Sequence, residues 1–127
     1  MSLSLKETID RANKDGVKYL LTISTEDKSY DKILNIISNN ECVYGTYGIH
    51  PHEAKNHQSI KSEDIIKKIG LNNKIIGIGE SGLDFYYNHS DKKDQIKCFE
   101  EHIFAAQNTQ LPLIVHTRNA ETETLEI

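Results

Sequence analysis

The 127-residue sequence lacks several features that would place it in a class directly. No apolar run approaches the ~20 residues that a membrane-spanning helix requires. Charged residues enter by Lys6 and Glu7, so we expect no signal peptide. The only two cysteines, Cys42 and Cys98, lie far apart in the sequence. We therefore expect two reduced core thiols in a cytoplasmic protein, with a disulfide or a metal-binding pair as the alternative.

An excess of basic charge is also missing. The net charge is −4, whereas a dedicated nucleic-acid binder usually carries a basic patch. The pairs Lys67-Lys68 and Lys92-Lys93 are short and typical of solvated helix faces. Charge alone therefore gives no support for a DNA or RNA partner. The sequence contains no repeat, low-complexity tract or linker, so residues 1–127 are interpreted as one unit, or part of one.

Helical and strand patterns alternate along the chain. The spacing of apolar residues predicts five helices. The first covers 3–14, and the second lies between a cap at 25–27 and Asn39-Asn40. The others are predicted at 63–70 with Ser62 as N-cap, at 92–109 opened by Asp91, and from 118 onward. Strands are predicted at 17–24, 42–49, 74–80 and 111–116, and a loop at 53–61. This alternation indicates an α/β fold with a parallel sheet covered by helices. Four such units fit half of a (β/α)8 barrel or a small open sheet, and length alone does not separate the two.

The most informative stretch is KIIGIGESGLDFYY at residues 74–87. Gly77, Gly79 and Gly82 match the dinucleotide fingerprint, but the residues that follow do not predict the helix that this motif needs. Glu80 would also bring negative charge to the pyrophosphate. An apolar strand that instead delivers a carboxylate into a glycine-lined opening needs a cation beside it, because an unpaired buried carboxylate is costly. We interpret this cation as a metal ion.

Three predicted strands are followed by a side chain that can bind a metal: His50, Glu80 and His116. The carboxyl ends of parallel strands in a barrel meet at one mouth, and imidazole with carboxylate suits zinc, manganese, magnesium or iron. A single histidine at a strand end is more often structural, but beside Glu80 we predict that His116 is a ligand. His50 and His52 flank Pro51 in a turn, and could be ligands or could contact an anionic substrate.

Arg118 follows His116 by two residues and is predicted near the same mouth. Its two-pronged guanidinium could bind phosphate, or could pair with Asp84 or a surface acid. The remaining histidines, His57, His89 and His102, fall in predicted loop or helix positions. We predict that these three are surface residues.

Three segments together resemble one protein family. GIHPHEA at 48–54, IIGIGESGLDFYY at 75–87 and LPLIVHTRNA at 111–120 are similar, in order and spacing, to motifs of the TatD family of metal-dependent deoxyribonucleases. That family belongs to the amidohydrolase-like metal-dependent hydrolases. The resemblance implies a (β/α)8 TIM barrel with one or two divalent ions, Mg, Mn or Zn, at its mouth.

The resemblance also implies roles for individual residues. Glu80 matches a metal ligand that often bridges two ions, and His116 matches a second ligand, so these two are the implied catalytic and metal-binding residues. His50 and His52 match a pair that lines the substrate side of the pocket. Arg118 matches a basic residue near the phosphate.

Other family motifs have no counterpart here. Family members begin with a strand that ends in H-x-H, and they carry a later strand ending in His and a T-D-x-P segment. This chain opens with MSLSLKETID instead. The resemblance therefore implies strands two to five of the barrel, truncated at both ends, with two of about six ligands and with MSL as an added leader. Asp84 matches the Asp of G-L-D, for which a structural role is implied.

The implied function of the parent protein is hydrolysis of DNA phosphodiester bonds with metal-activated water. We expect the 127 residues alone to be inactive. A metal-dependent hydrolase of small-molecule ester, lactone or amide bonds is the alternative, slightly favoured by the acidic charge. A non-catalytic barrel fragment is a third possibility. Half a barrel has open sheet edges, so self-association is expected, and a membrane partner is not.

Overall fold

The computed structural model describes residues 4–127, in which helices and strands alternate as predicted. The helices are α1 (Leu5–Lys14), α2 (Asp27–Asn39), α3 (Ser62–Ile69), α4 (Lys92–Thr109) and α5 (Glu121–Glu126), with a short 3-10 helix at Pro51–Asn56. The strands are β1 (Leu20–Thr22), β2 (Val43–Tyr47), β3 (Ile75–Asp84) and β4 (Leu113–Arg118). The predicted leader and residue 3 of the first predicted helix lie outside the described residues. Within residues 4–127, no helix combines the length and apolar character needed to cross a membrane.

The four strands form one parallel sheet in the order β1-β2-β3-β4. The predicted α/β class and parallel sheet are therefore confirmed. Helices α2, α3 and α4 pack on the sheet through buried residues spaced three or four apart, as an amphipathic helix requires. The core between helices and sheet includes Ile33, Ile37, Val43, Tyr47, Ile65, Ile69, Ile75, Ile78, Cys98 and Ala105.

On the opposite face of the sheet, hydrogen bonds pass over β2 and connect residues on its β1 and β3 sides. The backbone N–H of Glu80 donates to the carbonyl of Ser24 at 2.8 Å, although these residues belong to the β1 and β3 sides of the sheet. The Thr46 hydroxyl of β2 joins the same two segments: it donates to the Gly79 carbonyl at 2.7 Å and accepts from the Ser24 N–H at 3.1 Å. A Cβ at Gly48 would overlap the Gly79 backbone, so glycine is needed for this approach. The sheet is therefore curled, with its carboxyl ends close together.

Strand β3 carries a bulge at Glu80. Gly79 and Ser81 pair with consecutive residues of β4, which leaves Glu80 as an extra residue in the ladder. The strand was predicted to end at Glu80, but it continues to Asp84. That limit was wrong because the apolar pattern stops at Glu80 while the backbone pairing does not. A bulge redirects a side chain, and this one brings Glu80 to the concave face.

Other predicted limits differ by small amounts. β1 is shorter than the predicted 17–24, and β4 begins and ends two residues later than predicted, so that it also includes Arg118, where a helix was predicted to begin. Residues 51–56 form a 3-10 helix where part of a loop was predicted. α3 begins at Ser62, with Lys61 as the capping residue. α4 has its predicted limits, with Asp91 preceding its first residue.

The curl across β2 predicts a cost for removing the Thr46 hydroxyl. Thr46→Val keeps the shape of the side chain but leaves the buried Ser24 N–H without its acceptor. We expect the free energy of unfolding to fall by about 1–3 kcal/mol, measured by urea denaturation. Thr46→Ser, which keeps the hydroxyl, is the control and should lose less. A Thr46→Val variant as stable as the unmodified chain would contradict this account.

Candidate metal centre

The structure brings together His50, Glu80 and His116, the three side chains that the sequence pattern placed at one mouth. His50 Nε2 lies 3.9 Å from Glu80 Oε2, and His116 Nδ1 lies 3.9 Å from Glu80 Oε1. One ligand atom from each of the three residues falls within 4.8 Å of the others. His50 follows β2, Glu80 sits at the bulge of β3, and His116 lies in β4. The curled sheet thus assembles a cluster from three separate segments.

The orientation of His116 is fixed by Asp84. His116 Nε2 lies 2.9 Å from Asp84 Oδ2, and Asp84 is fully buried. Burial by itself would raise the pKa of the Asp84 carboxyl, but hydrogen bonds from His116, the Tyr87 N–H and His52 hold that pKa well below its usual range. The carboxylate can only accept, so Nε2 carries a proton, and the tautomer with a free Nδ1 places that ligand atom 3.9 Å from Glu80 Oε1. Ligating histidines in metal sites are held by carboxylates in this way.

His50 has the opposite arrangement. The backbone N–H of His52 donates to His50 Nδ1 at 3.1 Å, so that nitrogen carries no proton. Burial, followed by the neighbouring rings of His116 and His52, lowers the pKa of His50 to about 4. The ring is therefore neutral at pH 7, with its single proton on Nε2, which faces Glu80. In this tautomer His50 offers a hydrogen-bond donor at the site. Its Nε2 could bind a metal only if the contact between Nδ1 and the His52 N–H were broken.

His52 and Arg118 lie against the same Asp84 oxygen that contacts His116. His52 Nε2 is 3.1 Å from Asp84 Oδ2, and its ring meets that of His50 edge to face with centroids 4.4 Å apart. Arg118 Nε is 3.8 Å from the same carboxylate oxygen. Arg118 therefore lies beside Asp84, which was one of the partners predicted for it. The Arg118 side chain nevertheless remains 46% exposed, and its guanidinium is within reach of an incoming anion.

The donor set and its spacing fit a divalent cation. Glu80 and Asp84 bring two negative charges and Arg118 brings one positive charge, so the cluster favours an added cation. Two ligand atoms that share an ion at about 2.1 Å each can lie up to about 4.2 Å apart. The 3.9 Å between Glu80 and His116 is within that limit and is too long for a hydrogen bond. Carboxylate oxygen with imidazole nitrogen is a combination that zinc, manganese and magnesium sites use.

Two polar side chains that sequence reasoning missed hold the site-bearing segments in place. Gln95 of α4 accepts from the Asp84 N–H at 2.8 Å, and donates to the carbonyls of Asp84 at 3.1 Å and Ser90 at 2.9 Å. The Ser90 hydroxyl donates to the His52 carbonyl at 3.0 Å and accepts from the Lys55 N–H at 3.0 Å. Together they connect the end of β3 to the segment that follows β2.

The surface prediction for His102 was wrong. This residue is fully buried, and its Nε2 accepts from the Ile49 N–H at 2.9 Å while Nδ1–H donates to the Cys98 carbonyl at 2.7 Å. Burial lowers the pKa of His102 to about 4, so the ring is neutral. The sequence spacing indicates this burial, because Gln95, Cys98 and His102 are three and four residues apart and share the buried stripe of α4. His102 thus anchors the residue before His50.

The other histidines and the cysteines follow their predictions more closely. His89 is exposed, and His57 is half-buried with Nδ1 2.9 Å from the Glu53 carbonyl. Both cysteines are free thiols, with Cys98 buried and Cys42 half-buried. Burial raises the pKa of the Cys98 thiol to about 12, which makes it an unreactive core residue.

A parallel α/β sheet that collects histidine and glutamate at its carboxyl edge is the architecture of metal-dependent hydrolases built on barrels. Comparison with known proteins agrees and is more specific. Residues 2–127 match the family model described as TatD related DNase. The chain belongs to this family, which confirms the resemblance carried by its three motifs.

Individual relatives give the same result. The chain is 36% identical over 124 residues to an uncharacterized metal-dependent hydrolase of Buchnera aphidicola subsp. Baizongia pistaciae, covering 97% of this chain and 46% of that protein. It is 33% identical to the deoxyribonuclease Tat-D of Schizosaccharomyces pombe, covering 91% and 40%. The crystal structure of YjjV, a TatD homologue from Escherichia coli, superposes with a TM-score of 0.86 at 23% identity, covering 95% and 47%. The chain therefore spans about half the length of the curated relatives it matches, and its sheet is that of a partial barrel.

The buried neutral state of His102 predicts a pH dependence of stability. The folded chain holds this pKa at about 4, below the ordinary value of 6.5, so the unfolded chain binds more protons between these values. The stabilisation is fully present above about pH 6.5 and is lost as the pH falls towards 4, by up to about 3 kcal/mol. His50 shifts in the same direction and adds to the same window.

Urea denaturation at pH 7 and pH 5 measures this effect. His102→Gln keeps a donor and an acceptor but does not titrate, so its loss of stability between the two pH values should be smaller than that of the unmodified chain. His89→Gln, at an exposed histidine, is the matched control and should keep the full loss. An equal pH dependence for all three proteins would contradict the assignment.

Proposed function

We propose that this chain supplies part of the active site of a divalent-metal-dependent phosphodiesterase that acts on DNA. In this proposal residues 1–127 are one unit, a portion of a TatD-like (β/α)8 hydrolase domain. Glu80 and His116 hold a metal ion, and His50, His52 and Arg118 position the substrate phosphate. The S. pombe relative is named a deoxyribonuclease, and the proposal extends that activity to this chain.

The observation that carries the metal assignment is the fixed tautomer of His116. Asp84 occupies its Nε2–H, so in the neutral tautomer Nδ1 is the free ligand atom, 3.9 Å from the Glu80 carboxylate. A metal ion shared by this nitrogen and the carboxylate would fill the gap, which is too long for a hydrogen bond. A divalent ion held there would supply charge for the phosphoryl oxygens and lower the pKa of an attacking water.

The substrate assignment rests on donors that surround the same gap. Neutral His50 presents its Nε2–H, and the half-exposed Arg118 guanidinium is a fork that matches phosphate oxygens. His52 is held by Asp84 between them. Hydrogen-bond donors grouped beside a cation site suit a phosphodiester, whose oxygens accept and carry negative charge. An uncharged lactone or amide offers no negative charge to the guanidinium.

Two protein ligands are fewer than the three that catalytic zinc sites use, so the 127 residues alone should bind an ion weakly and hydrolyse nothing. Calorimetric titration with Mn²⁺ or Zn²⁺ measures the binding. We expect Glu80→Gln and His116→Gln to lower the affinity at least about tenfold. Glu63→Gln, at an exposed acid in the first turn of α3, is the control and should leave it unchanged. Equal affinities for all four proteins would remove the proposed site.

The activity is tested on the full natural protein that contains these residues. We expect it to hydrolyse oligodeoxynucleotides when a divalent ion is added, and to lose this activity in EDTA and in the Glu80→Gln variant. The absence of ion-stimulated hydrolysis of single- and double-stranded DNA would refute the proposal, and turnover of small esters alone would favour the alternative hydrolase. Turnover by the isolated 127 residues would show that the chain needs no further ligands.

We also propose that copies of the chain associate through the open sheet. Large apolar side chains remain exposed at the concave face and the β1 edge: Tyr19 at 71%, Leu21 at 45%, Ile23 at 38% and Ile76 at 40%. β1 and β4 are the edges of the described sheet, and unpaired edges attract further strands. We propose a cytoplasmic location as well, because Cys42 and Cys98 are both free thiols.

Sedimentation velocity should therefore show a dimer or a larger species that dissociates on dilution. Leu21→Lys places a charge on the exposed face of β1 and should shift the distribution towards monomer. Leu71→Lys, at a fully exposed leucine in the turn after α3, is the matched control and should leave the distribution unchanged. A monomer at every concentration would contradict the association.

A further inference from the structure

The chain places two adjacent tyrosine rings in solvent directly beside the metal centre. Tyr86 is 58% exposed and Tyr87 is 43% exposed, and their rings meet edge to face with centroids 4.7 Å apart. His89 lies against Tyr87 with ring centroids 5.4 Å apart and a tilt of 32°. We call Tyr86, Tyr87, His89 and Arg118 the aromatic platform.

The platform is held in a fixed position relative to the site. The backbone N–H groups of Tyr86 and Tyr87 donate to Asp84 Oδ1 at 3.1 and 3.2 Å, while the other oxygen of that carboxylate orients His116. The N–H of Phe85 donates to the Arg118 carbonyl at 2.9 Å. These bonds fix the backbone that carries the two rings beside the site.

Positive charge lies over the rings. The Arg118 guanidinium carbon is 5.5 Å from the centroid of Tyr86 and 5.1 Å from that of Tyr87, within the range of a cation–π interaction. Lys92 Nζ lies 4.6 Å from the neighbouring Phe85 ring. These cations stand out in a chain whose net charge is −4. Aromatic faces next to an arginine form the combination that binds single-stranded nucleic acid without reading its sequence.

The platform is continuous with the side chains proposed to hold phosphate. Tyr87 meets His52 edge to face with ring centroids 5.7 Å apart, and Arg118 belongs to both groups. A strand whose phosphate lies against His50, His52 and Arg118 would therefore bring an adjacent base next to Tyr86 and Tyr87. Base faces are available for stacking in a single strand, whereas in a duplex they are covered by neighbouring bases.

We propose that the aromatic platform stacks a nucleobase of single-stranded DNA next to the phosphate at the metal centre. This inference rests on the proposed phosphodiesterase function and assigns to Tyr86 and Tyr87 a base-binding subsite beside the metal centre. It also assigns a reason to the exposure of two large rings that contribute little to the core.

Fluorescence anisotropy in EDTA tests stacking separately from hydrolysis. Three labelled probes of equal length are compared: oligothymidine, the same backbone without bases, and a duplex. We expect oligothymidine to bind more tightly than the other two. The double variant Tyr86→Leu/Tyr87→Leu should weaken oligothymidine binding at least about fivefold while the affinity for the abasic probe stays unchanged. Tyr86→Phe/Tyr87→Phe keeps both rings and should bind as the unmodified chain does.

Phe104→Leu is the control, because Phe104 is an aromatic residue that is 48% exposed on α4, outside the platform. Circular dichroism verifies that each variant is folded. Equal binding of oligothymidine and the abasic probe, full affinity in the leucine variant, or no oligothymidine binding at millimolar protein would overturn the platform. If base-dependent binding is found but the full natural protein lacks ion-stimulated hydrolysis, the proposed function fails and the platform stands.

Discussion

The arrangement of this site depends on one buried carboxylate. Asp84 accepts from two imidazoles through Oδ2 and from two backbone N–H groups through Oδ1, so both oxygens are saturated. These bonds offset the cost of taking a charge out of water, which would otherwise be several kcal/mol. The same bonds fix the rings of His52 and His116 and the turn that follows β3. A residue that is not a proposed ligand therefore determines the orientation of the ligand His116.

Asp84 is itself positioned by the fold rather than by its sequence neighbours. Gln95 binds both its N–H and its carbonyl, as an adjoining strand would, and Gln95 stands on α4. His102 stands seven residues further along the same helix and holds the Ile49 N–H. Helix α4 thus fixes the end of β3 and the segment after β2 from one buried stripe. Packing and site geometry are produced by the same side chains.

The sequence was sufficient for the order of elements, the limits of α4 and the meeting of Glu80 with His116, because these follow from local apolar spacing and the parallel sheet. It was not sufficient for the bulge at Glu80, since a bulge is a property of pairing with β4 and leaves no mark in the apolar pattern. It also failed for His102, whose acceptor role depends on a residue 53 positions away. The signal available in the sequence was the position of His102 within the buried stripe of α4, whereas its polar character led to the prediction of a surface residue.

His50 and His116 show why residue type alone cannot assign a role. Both rings present a nitrogen to Glu80 at 3.9 Å. The difference lies on the far side of each ring, where His116 donates to the Asp84 carboxylate and His50 accepts from the His52 N–H. The first contact leaves a lone pair facing Glu80 and the second leaves a proton there. In their neutral forms the two histidines therefore offer opposite chemistry to the same gap, one to a cation and one to an oxygen of an anion.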